Sequence, residues 1–217
     1  MLIYVILKYI LLFVCILREN MVSRSKHIEK KPPKDTIWFS HKNGEHGIFS
    51  NYYPASFEVK GVKYPTAEHY FQSMKFVGSA DEYAEQIRLA KTPEDASRMG
   101  KSKEHKMRDD WEYVKFDIMG DAISYKFTQN VTTALTNTCN KILVFHTPDT
   151  YWGDGNDEDW AKNSDYDLDG TKKNPKQSIA KGQNKLGIAL MQFREWLFHG
   201  GNRNLEYGAW GPIGEIV

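Results

Sequence analysis

Glu68 and Asp154 are the carboxylates whose surroundings best suit chemistry. Glu68 stands in Tyr64-Pro65-Thr66-Ala67-Glu68-His69-Tyr70-Phe71-Gln72, two residues after a threonine able to cap a helix with its side-chain oxygen. That spacing puts Glu68 in the first turn of a helix. It lies off the apolar stripe of Ala67, Tyr70, Phe71 and Met74 and beside a glycine- and aromatic-rich approach loop, so its side chain can project into a cleft. The positive end of the helix dipole favours the charged carboxylate and lowers its pKa unless burial opposes it. An ionised Glu68 suits stabilising a developing positive charge better than protonating a leaving group. The dipole alone also accounts for a first-turn carboxylate, so position by itself leaves both readings open.

Asp154 occupies Tyr151-Trp152-Gly153-Asp154-Gly155, just past an apolar run. The flanking glycines let the backbone turn sharply and approach a ligand closely, although Asp-Gly is also a common turn. Trp111 falls on the apolar stripe of a long helical pattern, where core packing and a ring stacked on a flat ligand are both open readings. Lys101, Lys103, Lys106 and Arg108 cluster ahead of that helix and suit either phosphate contact or a solvated face. No His-Glu-x-x-His or Cys-x-x-Cys spacing is present, which disfavours zinc. Asp165-Tyr166-Asp167-Leu168-Asp169-Gly170 matches the first half of a calcium loop, but Lys176 stands at the twelfth position, where a bidentate glutamate is required.

The elements that must position these residues read as follows. Ile37 to Ser40 opens the folded part, and Phe57 to Tyr64 alternates around Gly61 as a short hairpin. Helical patterns run from Thr66 to Phe76, Asp81 to Ala90, Thr92 to Gly100, about 106 to 128, and from Leu186 to a stop at Gly200-Gly201. Lys141 to His146 is a strand. Strands and helices do not alternate regularly, which disfavours a parallel doubly wound sheet. The expected fold is mainly α: a compact multihelical domain with a small β element from short strands near residues 37–64 and 141–146.

Length and composition bound the rest. The 217 residues, 41% of them hydrophobic, suffice for one substantial core, placed at residues 37–200. Residues 201–217 form a C-terminal tail. Residues 1–20 are a hydrophobic extension of doubtful relevance. Their apolar stretch, 2–17, is shorter than the roughly 20 residues a bilayer needs and carries Lys8, so a membrane tether is the alternative to a second start at Met21. Residues 21–36 form a basic linker. A net charge of +1 lacks the excess that gives broad affinity for nucleic-acid phosphates. Two cysteines define no disulfide framework and fit a reducing, cytoplasmic setting.

Six segments, taken in order, resemble the NADAR (NAD- and ADP-ribose-associated), or YbiA-like, family. They are Phe49 to Pro54, Tyr64 to Gln72, Ala96 to Gly100, Asp110-Trp111-Glu112, Tyr151 to Gly155 and Lys181 to Gly187, spread over about residues 37 to 198. The threonine-to-glutamine string followed far downstream by Trp-Gly-Asp-Gly is much more specific than either motif alone. The resemblance implies an N-glycosidase. Members cleave the base from ribosylamino-pyrimidine phosphates of riboflavin synthesis or remove ADP-ribose from guanine in nucleic acid. A degenerate member would be a module that binds ADP-ribose without cleaving it.

Carried onto this chain, the resemblance gives catalytic roles to Glu68, Trp111 and Asp154, and to Lys42 as the nearest candidate for a lysine of the guanine-directed branch. Substrate-binding positions fall on Asn51, Tyr64, Arg98, Gly100, Trp152, Gly153, Gly155, Asn184 and Gly187. The expected partner is a small phosphorylated nucleoside-like or ADP-ribose-containing substrate, with modified nucleic acid an open alternative. No metal, other cofactor or stable protein partner is expected. A polar insertion at about 156–180 separates segments that lie close together in compact members. Its acidic character would repel a large anionic substrate.

Overall fold

The computed structural model describes residues 36–41, 44, 46–127, 129–156 and 182–199, the side chains of 129 and 130 excepted. Lys42, the N-terminal extension, nearly all of the linker, the calcium-like run, most of the polar insertion and the tail lie outside the described residues. Among the described residues, six α-helices and two two-stranded sheets give a mainly α fold with a small β element, as expected. The described residues fall into two compact units, residues 40–131 and residues 36–39 with 132–199.

In the first unit, β2 (Phe57–Val59) and β3 (Val62–Tyr64) form an antiparallel hairpin with Phe57 opposite Tyr64. Lys60 (φ 49°) and Gly61 (φ 81°) supply the two positive φ values that a tight hairpin turn needs. Helix α1 (Ala67–Ser73) follows, capped by Thr66, whose Oγ1 accepts from the His69 N–H. Thr92 caps α3 (Pro93–Met99) in the same way through the Asp95 N–H, with Pro93 in the first turn. Between them, α2 (Asp81–Arg88) packs Tyr83, Ala84 and Ile87 against Phe76 and Ala96.

All seven residues of α1 are buried, because α2, α3, α4 (Trp111–Lys126) and β3 all pack against it. A helix buried all round has no solvated face, so its polar side chains must find internal partners. His69 holds Thr66 Oγ1 at 2.9 Å and the Ala90 carbonyl at 3.1 Å, and Ser73 Oγ donates to the Tyr70 carbonyl at 2.9 Å. Helix α4 starts at Trp111 rather than near 106. Arg108 N–H turns back to the Lys75 carbonyl and the Arg108 side chain grips Asp110, so the approach is a loop. Met107, at the start of the expected helical run, is 39% exposed there.

In the second unit, β1 (Thr36–Phe39) pairs in parallel with β4 (Ile142–Phe145), Phe39 opposite Phe145 with their rings stacked at 5.3 Å. This parallel pair was not legible, since its strands are separated by a hundred residues. Helix α5 (Gln129–Thr136) was not anticipated either; it enters this unit at Thr132. Helix α6 (Lys185–Phe198) covers β4 with Leu186, Ala189, Leu190 and Phe193. Among the described residues, no helix is long and apolar enough to cross a membrane.

Candidate active site

Glu68 is 5% exposed. Its N–H donates to the Asn51 carbonyl at 3.1 Å, and its Oε1 accepts from Gln72 Nε2, one turn further along α1, at 2.8 Å. Burial pushes its carboxyl above the usual range; the Gln72 and Ser97 side chains and the charges of Lys75 and Lys101 oppose the shift without cancelling it. The sequence reading favoured an ionised glutamate from the helix dipole. Burial wins instead, because α1 is enclosed and a short helix offers only a modest dipole against full desolvation. The carboxyl therefore keeps its proton to higher pH than a surface glutamate, and can give it to a leaving group.

Gln72 is held in turn by shape. A Cβ built on Gly100 would overlap the Gln72 side chain, so Gly100 serves by close packing. The Gly100 carbonyl accepts from Lys75 Nζ at 3.0 Å. That ammonium also sits 5.7 Å from the Trp111 ring centre and 5.8 Å from that of Phe71. Trp111 is 5% exposed and packs on Phe71 at 5.1 Å, so core packing carries its placement.

The Phe49-Ser50-Asn51-Tyr52-Tyr53 segment is joined to Glu68 through the Asn51 carbonyl. Buried Lys126, at the end of α4, donates from Nζ to the Ser50 carbonyl at 2.5 Å, and burial lowers its pKa to about 7. Ser50 Oγ lies 2.9 Å from His41 Nδ1, and His41 stacks on Tyr52 with ring centres 3.7 Å apart. Burial, then Lys101 and Lys126, lower the His41 pKa to about 4, so its imidazole is neutral. Tyr52, whose phenol is pushed up by burial and by the Glu68 charge, lines a cleft of about 450 Å³ with His41, Tyr53, His69, Lys91 and Glu94. The side-chain oxygens of Asn51 and Gln72 are buried with no hydrogen-bond partner.

Asp154 is built differently. Its side chain is 0% exposed. Oδ1 accepts from the Thr147 and Asn156 N–H groups at 3.1 and 3.2 Å, while Oδ2 meets Asn156 Nδ2 and His146 Nδ1, each at 3.0 Å. Burial pushes this carboxyl up, but the hydrogen bonds outweigh it and hold the pKa below the usual range. Asp154 thus ties the turn after β4 together with a saturated carboxylate. Gly153 approaches the Phe145 carbonyl, Gly187 approaches the Leu143 carbonyl, and Gly155 has φ 74°. Asn184, itself left-handed at φ 49°, donates to the Leu143 carbonyl and accepts from the Phe145 N–H, both at 2.9 Å.

The residues read from the sequence therefore sort by unit. Glu68, Asn51, Gly100 and Trp111 meet around α1; Asp154, Trp152, Gly153, Gly155, Asn184 and Gly187 gather at the end of β4. Tyr64 packs with Phe57 and Tyr70, and Arg98 pairs with Asp95 at 2.6 Å on an exposed surface. Gln72, Lys75, His146 and Lys126 went unnoticed. The i+4 spacing of Glu68 and Gln72 was the one local signal available.

Residues 37–198 match the model of the NADAR domain. The chain belongs to the NADAR family. It is 34% identical over 180 residues to the N-glycosidase YbiA of Escherichia coli (strain K12), covering 82% of this chain and 98% of that one. It is also 34% identical over 164 residues to the chloroplastic riboflavin biosynthesis protein PYRR of Zea mays, covering 68% of this chain and 23% of that larger protein. The NMR structure of the E. coli protein YbiA aligns with a TM-score of 0.61 and 32% identity, over 85% of this chain and 96% of that one. In this NADAR chain the catalytic glutamate implied by the resemblance is an enclosed, hydrogen-bonded carboxyl.

Proposed function

We propose that this NADAR protein is an N-glycosidase that hydrolyses the bond between a base or amino-pyrimidine and a ribose-phosphate or ADP-ribose sugar. The observation that carries the chemistry is the buried Glu68 carboxyl, gripped by Gln72 and pushed above the usual carboxylate range. As the C–N bond breaks, its electron pair goes to the base nitrogen and Glu68 gives that nitrogen its proton. The glutamate, now ionised, stabilises the cation left on the ribose ring. Water adds to the anomeric carbon and returns its proton to Glu68, so base and free sugar leave and the enzyme is restored. Asn51 Oδ1, buried without a partner, suits a sugar hydroxyl or exocyclic amine as donor. Asp154 acts as a positioning residue, since its oxygens are saturated.

A small substrate is favoured over modified nucleic acid. Relatives carry riboflavin biosynthesis names, and the adjoining cleft of about 450 Å³, lined by Tyr52 and Thr66 but not by Glu68 itself, is in the size range of metabolite sites. Offering purified protein a ribosylamino-pyrimidine phosphate and an ADP-ribosylated guanine oligonucleotide, with chromatography of the freed products, tests this. Multiple turnovers on the first and none on the second are expected. The reverse outcome would move the protein to the nucleic-acid branch.

A further inference from the structure

Lys75 is the half-buried cation around which the Glu68 surroundings are organised. It lies just past the end of α1. Its ammonium donates to the Gly100 carbonyl, at the end of α3, at 3.0 Å. The same ammonium rests against the faces of Phe71, on α1, and Trp111, the first residue of α4, at 5.8 and 5.7 Å. Its main-chain carbonyl accepts the Arg108 N–H at 2.8 Å, and the Arg108 carbonyl receives the Trp111 N–H at 3.3 Å. One residue thus fixes the junction of three helices, with its charge beside the site.

We propose that Lys75 is a positioning residue for the NADAR reaction: seated on Trp111 and Phe71, its ammonium holds Gly100 beneath Gln72 and supplies the counter-charge that tunes Glu68. Two effects run from one side chain. Mechanically, the bond to the Gly100 carbonyl keeps the glycine where only a residue without Cβ fits against Gln72, and Gln72 orients Glu68 Oε1. Electrostatically, Lys75 is a stronger influence than Lys101 among the cations that favour the ionised form of Glu68. The other groups acting on that carboxyl are the Gln72 amide, the Ser97 hydroxyl and the Tyr52 phenol, which responds to the Glu68 charge. Trp111 then serves the reaction without touching substrate. Indole is the best aromatic seat for a cation, and a flat ring fixes the ammonium that a flexible lysine stem would leave mobile.

This proposal rests on Glu68 being the reacting carboxyl, and its test is chosen to be separable from that reading. Titration of the Glu68 side-chain carboxyl by 13C NMR reads the charge directly and needs no turnover. In Lys75→Met the midpoint is expected to move up, because a cation that stabilises the carboxylate is gone. Lys75→Arg, which keeps charge and stacking, should return it to near the wild-type value. Trp111→Phe, which preserves an aromatic but a poorer cation seat, should give a smaller upward move, and it stands in if Lys75→Met does not fold. The limb of the pH profile of kcat/KM that vanishes in Glu68→Gln should shift with the NMR midpoint. An unchanged carboxyl midpoint in folded Lys75→Met or Trp111→Phe overturns the role of Lys75. Full turnover by Glu68→Gln would instead overturn the reading of Glu68.

Discussion

At the scale of single residues, the two carboxylates that look alike in the sequence are put to opposite uses. Glu68 is buried with few donors and burial raises its pKa, whereas Asp154 is buried with four hydrogen bonds that hold its pKa down. Local pattern could not separate them, because what differs is the number of hydrogen bonds each accepts after folding. The Asp154 arrangement makes a specific expectation. Asp154→Asn keeps one oxygen for the Thr147 and Asn156 N–H groups but turns the other into an NH2 donor facing Asn156 Nδ2 and His146 Nδ1, and should cost about 1–3 kcal/mol of stability. Its loss of activity should follow the loss of the turn rather than a titration, so thermal unfolding and kcat measured together check it. A variant as stable as wild type yet inactive would return Asp154 to a direct chemical role.

Secondary-structure elements carry the site by close approach. Helix α1 presents Glu68 and Gln72 from one buried face, and α3 ends in Gly100 where a side chain would collide with Gln72. Gly100→Ala is therefore expected to displace Gln72 and lower kcat about tenfold or more while leaving the helical circular dichroism intact, since positioning errors are costly to rate. At the other unit, the Asn184 amide, at the start of α6, bonds to the edge of β4 as a neighbouring strand would. Asn184→Ala leaves the Phe145 N–H and the Leu143 carbonyl unpaired and should lower stability by about 1–3 kcal/mol, read by denaturant unfolding. The helices themselves were legible to within a few residues because caps such as Thr66 and Thr92 and the spacing of apolar residues are local. The β1–β4 pairing and the loop ahead of Trp111 were not, because they depend on partners distant in sequence.

On the scale of the whole molecule, family membership was readable from six short segments, and the mainly α architecture followed from periodicity. Burial was not readable: α1 looked amphipathic and is enclosed, and Lys126, which nothing in the local pattern marks out, is 2% exposed. That burial has a consequence for stability against pH. Burial lowers Lys126 from 10.5 to about 7, so between these values the unfolded chain binds more protons than the folded one, and stability rises with pH across that window. The slope should be absent in Lys126→Met, measured as Tm from pH 7 to 10. His41, lowered from 6.5 to about 4, acts in the same direction at lower pH, so stability from this group falls as pH drops from about 6.5 towards 4. Glu68 acts oppositely, holding a proton in the folded state above the pH at which it is lost from the unfolded chain.

The most direct test of Glu68 as the reacting carboxyl is the rate of base release by Glu68→Gln, which keeps the size of the side chain and cannot exchange a proton. With circular dichroism and Tm near those of the wild type, kcat on a ribosylamino-pyrimidine phosphate is expected to fall at least about a hundredfold. Turnover within a fewfold of wild type by the folded variant would contradict that assignment.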